Sequence, residues 1–181
     1  MKLEQIIHDE SGTHRIYECE VCGSTLTVDT DMFKAPACRI WAEDVAEEMK
    51  ELAENNTAMT AEGFAEAVAR SLENHEQLLK LLAMNHYDME ENSRPERLTE
   101  FKVAYGASLD AVKVCVRKFF PETDCESFIF VFFPFLFGVY PYSVATQKQL
   151  DAMRDAKMKF RMHSIYEIIY SCVMQLLGGT K

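Results

Sequence analysis

One segment of the sequence restricts the possible folds more than any other, because it is apolar on every side of the helix that it is predicted to form. The helix is expected over 124–140, behind the capping box Thr123-Asp124-Cys125-Glu126. Its apolar side chains are Phe128, Ile129, Val131, Phe132, Phe133, Phe135, Leu136, Phe137 and Val139. Such a helix must be covered on all faces, and a chain of 181 residues can hardly supply that cover from within. We therefore expect a partner subunit to cover part of it; a large core within one subunit is the alternative.

The chain from Trp41 onward predicts further helices, so the expected fold class is mainly α. Only seven glycines and five prolines occur among 181 residues, which favours long helices over many short strands. The predicted helices begin at Trp41, after Thr60, after Asn74, after the capping box Ser93-Arg94-Pro95-Glu96, after Thr146 and at about residue 159. The first should end near Asn55-Asn56, and the long fourth helix near Phe120.

The last predicted helix, 159–177, has a wide apolar stripe and is a second candidate for contact with a partner subunit. Two copies of this helix and two of helix 124–140 would form a four-helix bundle between subunits. The residues expected at this dimer interface are Phe128, Phe132, Phe135, Ile165, Ile169, Cys172 and Leu176.

The first 40 residues differ from the rest and are expected to form a separate small module, 1–40, before a helical domain, 41–181. Thr25-Leu26-Thr27-Val28 is a short β-like alternation between two cysteine-containing turns. These turns are Cys19-Glu20-Val21-Cys22-Gly23 and Ala35-Pro36-Ala37-Cys38. The pattern is similar to a zinc ribbon in which Ala35 occupies one expected cysteine position.

Zinc is the cofactor that this cysteine pattern suggests. Cys19, Cys22 and Cys38 supply three thiolates, and His14 or His8 completes a tetrahedral Cys₃His set. Two alternatives remain open: a ribbon-like fold that has lost its metal, and a redox Cys-x-x-Cys pair. Six cysteines without a secretory signal argue against a disulfide framework.

Charge argues against a DNA-binding surface in the first hundred residues. Residues 1–40 carry 4 basic and 7 acidic side chains, 41–100 carry 5 and 15, and 101–181 carry 10 and 7. A protein that neutralises DNA phosphates needs a basic surface, which the first two segments lack. The sequence also has no Gly-rich phosphate loop, nucleophile elbow or His-Glu-x-x-His motif, so we do not expect an enzyme.

A cytoplasmic location without membrane contact is expected. The N-terminus turns acidic before any apolar run develops, unlike a signal peptide. The longest apolar run, Phe128 to Tyr142, is interrupted by Pro134 and Pro141 and is shorter than the roughly 20 residues of a membrane span.

Four stretches resemble the C-terminal domain of TetR-family transcriptional regulators. They are SLENHEQLLKLLAMN at 71–85, MEENS at 89–93, LTEFK at 98–102 and FFPFLFGVYPY at 132–142. The likeness covers about residues 41–177 and rests on a running pattern, not on catalytic residues. It does not extend to residues 1–40, where members of the family carry a longer, basic helix-turn-helix.

The resemblance implies a homodimer and a pocket for a small, often apolar or aromatic molecule inside each subunit. Candidate lining residues lie on helices that should converge, and aromatic and methionine side chains make adaptable walls. They are Met84, Tyr87, Met89, Phe101, Tyr105 and Phe132, each of which also fits a role in the core.

Two functional hypotheses follow. The first is a homodimeric TetR-like regulator that senses a small molecule through its helical domain, with DNA binding implied by the resemblance alone. The second is a protein-interaction adaptor that dimerises through the helical domain and binds a partner through the cysteine module. A truncated or rearranged gene product without regulatory activity is a third reading.

Overall fold

The N-terminal part of the protein is a three-stranded antiparallel sheet. The computed structural model describes residues 2–9, 12–18, 21–23, 25–29, 34–84 and 94–178. The strands are β1 (Lys2–Asp9), β2 (Gly12–Glu18) and β3 (Thr25–Asp29). They pair in the order β1-β2-β3. The β alternation predicted at 25–28 is confirmed as β3.

Helix α1, Lys34–Asn55, begins before the residue at which the sequence predicts it and ends where predicted. The segment 35–38 was predicted as a turn, and this is wrong because it forms the first turn of α1. The first turn of a helix has N–H groups without intrahelical partners, so Pro36 loses nothing there. Cys38 is fully buried and continues the buried stripe of α1 formed by Ala42, Val45 and Met49. The expected domain boundary at residue 40 therefore falls inside a helix.

Helices α2 (Ala61–Asn74) and α3 (Glu76–Ala83) are separated only by His75. The predicted cap at Thr60 is confirmed, since its hydroxyl accepts from the N–H of Gly63 at 3.1 Å. The cap predicted at Asn74 is wrong, because that residue completes α2 and α3 starts without a side-chain cap. His75 Nδ1 donates to the carbonyl oxygen of Ser71, 2.7 Å away, which holds the imidazole against the end of α2.

Helices α4 (Pro95–Phe119) and α5 (Cys125–Ser143) are the two long helices of the core. The end of α4 next to Phe120 agrees with the prediction. The cap of α5 is Asp124, not Thr123: its carboxylate accepts from the N–H groups of Glu126 and Ser127. Hydrogen bonds from the hydroxyl and N–H of Ser127, together with the N–H of Glu126, hold the pKa of Asp124 below its usual value.

The two remaining helices are α6 (Gln147–Asp155) and α7 (Ile165–Leu176). The predicted opening of α6 is confirmed as a capping box between Thr146 and Gln149. Helix α7 begins at residue 165 and not at 159, because Ser164 and Glu167 form a capping box that fixes the start. The Ser164 hydroxyl accepts from the Glu167 N–H at 3.1 Å, and the Glu167 carboxylate accepts from the Ser164 N–H at 2.9 Å.

The helices pack in pairs around one core, which confirms the mainly α fold class. Helix α1 lies along α4, α2 along α7 and α3 along α5, while α5 also contacts α4 and α7. Two bonds fix the C-terminal half of α1 to α4: Lys118 Nζ donates to the Ala53 carbonyl at 2.6 Å, and Cys115 Sγ to the Met49 carbonyl at 3.1 Å. The largest fully buried side chains are Phe64, Phe101, Phe128 and Phe132.

Helix α5 is, among the described residues, the one long and apolar enough to cross a membrane by length and composition alone. Its length is 19 residues, and 39% of its most apolar stretch is buried inside the subunit. Core helices of globular proteins have the same composition, and the inner face of α5 is part of the core formed by Phe128, Phe132 and Leu136.

The structure describes only part of the predicted zinc site. Cys19 and the side chain of His14 lie outside the described residues. Cys22 is exposed in the turn after β2, and burial raises the pKa of the Cys38 thiol to about 12, whereas zinc binds the thiolate. Within the described ranges there is no group of three His, Cys, Asp or Glu side chains suited to a metal ion. Zinc binding stays a prediction.

We predict that Cys38→Ala lowers the free energy of unfolding by about 1 kcal/mol, because it removes a fully buried sulfur atom from the core. Urea denaturation with and without a zinc chelator measures this, and the loss should be the same in both. A loss that appears only without chelator would instead make Cys38 a zinc ligand.

Candidate ligand cavity

An internal cavity lies where helices α1 to α5 converge. Its volume is about 20 Å³, room for roughly one water molecule. Its walls are formed by Ala42, Val45, Met49, Val68, Ser71, Leu72, Leu78, Leu82, Tyr105, Ser108, Val112, Phe132, Phe133 and Leu136. None of these side chains carries a charge, so the cavity suits an apolar occupant.

Three polar groups interrupt this apolar lining, and they differ in how well they are satisfied. The Ser108 hydroxyl donates to the carbonyl of Tyr105 at 2.7 Å. Burial raises the pKa of Tyr105 to about 12, so its phenol stays uncharged well above neutral pH. The Ser71 hydroxyl is buried and has no hydrogen-bond partner among the residues that the structure describes. A buried hydroxyl without a partner is energetically unfavourable. A hydrogen bond from a ligand or a water molecule to Ser71 would therefore be stabilising.

An aromatic cluster forms the wall on the side of α4 and α5. The rings of Tyr105 and Phe133 meet edge to face at 5.5 Å between centroids, and Phe132 meets Phe133 in the same way at 5.7 Å. Phe137 contacts Tyr105 at 6.3 Å. These contacts hold the rings in fixed orientations against the cavity.

The structure places two of the six predicted pocket residues in the cavity wall, Tyr105 and Phe132. Phe101 is buried and packs on Tyr105 with centroids 5.7 Å apart, but it does not line the cavity. Met84 is 44% exposed at the end of α3. Tyr87 and Met89 lie outside the described residues.

Sequence reasoning missed the contribution of α1 and α2, above all Met49 and Ser71. The spacing of Trp41, Val45, Met49 and Leu52 places Met49 on an apolar stripe of α1, but nothing in the sequence shows that α1 packs along α4. Ser71 is polar and gave no signal for burial. Met49 and Ser71 lie side by side only because α1 and α2 are neighbours in the folded protein.

An open groove lies outside the cavity, between α1 and α2. Its volume is about 410 Å³, and its rim is polar. It is lined by Glu48, Met49, Glu51, Leu52, Asn55, Asn56, Ala67, Arg70, Ser71 and Asn74, so Met49 and Ser71 belong to both the groove and the cavity. Next to it, His75 Nε2 lies 3.9 Å from the carboxylate of Asp44 and 4.0 Å from that of Glu48.

The predicted dimer residues divide into two groups. Phe128, Phe132, Ile165 and Ile169 are buried inside the subunit, which corrects their expected position at an interface between subunits. Phe135, Cys172 and Leu176 are half-buried.

The outer face of α5 exposes other apolar side chains in their place. Phe130 is 80% exposed and Tyr142 64%, and Val131 is also exposed. A groove of about 630 Å³ follows this face. It is lined by Pro134, Phe135, Gly138, Val139, Tyr142, Phe160, Arg161, His163 and Ile168.

We predict that Ser71→Ala raises the free energy of unfolding by about 1 kcal/mol more than Ser171→Ala does. Both substitutions raise helix propensity equally, but only the first removes a buried hydroxyl without a partner. Urea denaturation of the two variants measures the difference. A destabilising Ser71→Ala would contradict the conclusion that the hydroxyl has no hydrogen-bond partner.

Comparison with known proteins places this helical domain in a family. Searches against curated proteins and against solved structures gave no significant match. Residues 39–176 match the family model described as tetracyclin repressor-like, C-terminal domain. This match covers most of the chain, including all seven helices of the described part except the first turn of α1. The chain belongs to the family of tetracyclin repressor-like C-terminal domains, those of TetR-type regulators.

Proposed function

We propose that this protein is a homodimeric regulator of the TetR type, in which a small molecule bound in the interior of the helical domain changes the geometry of the dimer. One observation carries the proposal: α5 forms part of the cavity wall and also part of the exposed apolar surface. Phe132, Phe133 and Leu136 on its inner side line the cavity, while Phe130 and Tyr142 on its outer side are exposed. A shift of α5 at the cavity therefore changes the outer face as well.

A second copy of the chain is the occupant that fits the outer face of α5. Large apolar side chains exposed together on one helix face, such as Phe130, Val131 and Tyr142, are typical of an interaction site. The face combines the aromatic side chains Phe130 and Tyr142 with Pro134 and Gly138, whose small profile allows another helix to approach closely. Ile168 of α7 borders the same groove, so α5 and α7 would pair with their counterparts as a four-helix bundle.

In this proposal the dimer has two geometries, and ligand binding shifts the equilibrium between them. The cavity now holds about 20 Å³, so any organic molecule that enters must displace its walls. If one dimer geometry has the wider cavity, the ligand favours that geometry by the difference in its affinity for the two.

We propose that the part of the regulator that contacts its target is the N-terminal segment, residues 1–40. The described strands of 2–29 form an antiparallel sheet, and residues 1–40 are acidic on balance. Direct reading of DNA by this part would lack the basic surface that phosphate contacts require. That observation favours the second candidate function, an adaptor that dimerises through the helical domain and binds a protein partner through the cysteine module of residues 1–40.

An electrophoretic assay with the DNA upstream of the protein's own gene separates the two candidates. Retention of the labelled fragment by the purified dimer at low salt, reversed by added salt, supports a DNA-binding regulator. No retention at low salt, with or without added zinc, excludes direct DNA reading and leaves the adaptor.

We predict a dimer of about twice the chain mass of 20.8 kDa in light scattering, and we predict that Phe130→Glu converts it to a monomer. The substitution places a charge on the exposed apolar face of α5, where a partner subunit would bury the carboxylate without a partner. Val103→Glu is the matched control, since Val103 is also exposed, at 68%, but lies on α4. A monomeric native protein, or equal loss of dimer in both variants, contradicts the proposed interface.

A further inference from the structure

Met49 and Ser71 form the partition between the internal cavity and the groove outside it, since both residues line both spaces. Met49 is 3% exposed and Ser71 6%, so the partition is closed in this structure. On one side lies an apolar space of about 20 Å³, on the other an open space of about 410 Å³. Removal of the partition would join them into a pocket within the roughly 300–1,000 Å³ that small-molecule sites occupy.

Met49 is suited to open this partition. Its side chain is unbranched, with three rotatable bonds and a polarisable sulfur, and methionine adapts to gaps more readily than other apolar residues. A change of rotamer moves the side chain without moving the backbone of α1, whose position at Met49 is fixed by the hydrogen bond from Cys115.

Ser71 remains in place as a binding group when Met49 moves. Its hydroxyl is buried and has no partner in the described part of the chain. The hydrogen bond that His75 donates to the Ser71 carbonyl holds this turn of α2. A ligand that offers one hydrogen-bonding group would therefore satisfy an orphaned hydroxyl, which favours it over an apolar molecule of the same shape.

Charge at the groove selects against anions. Glu48 and Glu51 line the groove, and Asp44 and Glu47 border it together with Glu48, Glu51 and His75. Arg70, the cation among the described residues of the groove, is paired with Glu66, whose carboxylate lies 2.8 Å from the guanidinium. None of the described residues that line the cavity carries a charge that could pair with a ligand.

We propose that the groove between α1 and α2 is the ligand entrance, with Met49 as its gate and Ser71 as its anchor, for an uncharged, mainly apolar molecule that carries one hydrogen-bonding group. This inference rests on the proposed ligand-sensing function, for which it names the class of ligand and the route of entry.

The role of Ser71 as the anchor is tested with three compounds that share one ring system. They are 2-naphthol, naphthalene, which lacks the hydroxyl, and 2-naphthoate, which is an anion. We expect the native dimer to bind 2-naphthol roughly fivefold to tenfold more tightly than naphthalene, and 2-naphthoate at least about tenfold more weakly than 2-naphthol. In Ser71→Ala the preference for 2-naphthol over naphthalene should disappear, while Ser171→Ala, the matched control, should keep it. Tight binding of 2-naphthoate, or an unchanged preference in Ser71→Ala, overturns the assignment.

The gate is tested by the association rate of 2-naphthol in stopped-flow fluorescence. Met49→Ile keeps the side-chain volume but fixes χ1, because a β-branched residue in a helix has one preferred rotamer. We expect association to slow by about tenfold, with the preference for 2-naphthol over naphthalene retained. Leu82→Ile is the control, since Leu82 lines the cavity but not the groove. Equal rates in both variants place the entrance elsewhere.

The outcomes separate this inference from the function on which it rests. If 2-naphthol binds but neither variant changes its binding, only the anchor and gate are wrong and ligand sensing stands. If none of the three compounds binds the native protein, ligand sensing through this cavity fails too. The light-scattering mass and the DNA assay test dimerisation and regulation independently of all three compounds.

Discussion

The inner face of α5 packs against α3, α4 and α7, and the rest of the helical domain depends on that contact. Full burial of a phenylalanine side chain stabilises a protein by roughly 1.5–3 kcal/mol, and α5 buries Phe128, Phe132 and Phe133 together. Phe133 contacts the ring of Tyr105 on α4, and Phe132 and Phe133 together line the cavity on that side. Core and candidate ligand site are therefore built from the same side chains, so a molecule in the cavity perturbs the packing that holds the helices together.

Local signals in the sequence predicted the side-chain caps that start α2 and α6, but missed the capping box of Ser164 and Glu167 that starts α7. Thr60 and Thr146 bond within three residues of themselves, and no distant part of the chain alters that choice. The start of α1 was missed because a proline between two alanines is compatible with a turn and with a first helical turn alike. Only the burial of Cys38 against the helical core distinguishes the two.

Contacts between helices determine which face of α5 is buried and which residues line the cavity, and neither can be read from the sequence. Apolar residues on all sides of α5 indicated that something must cover it, but not which half faces the subunit's own core. Phe128 and Phe132 turn inward, while Phe130 turns outward. The same holds for the cavity. The aromatic residues Tyr105 and Phe132 were predicted as lining residues and do border the cavity, whereas Ser71 became a candidate only through its burial and its lack of a partner among the described residues.

The bond from Lys118 to the Ala53 carbonyl has a mechanical consequence for the N-terminal sheet. It anchors α1 at its C-terminal end, and the sheet precedes the opposite end. A helix of 22 residues is about 33 Å long. Any tilt of α1 about its anchored end is therefore magnified along this length, and a rotation of about 5° displaces the far end by about 3 Å. Helix α1, which forms one wall of the cavity, is thus also a lever arm with its fulcrum at Ala53, and the turn around the buried Cys38 is the part of the cavity-side helix that moves farthest.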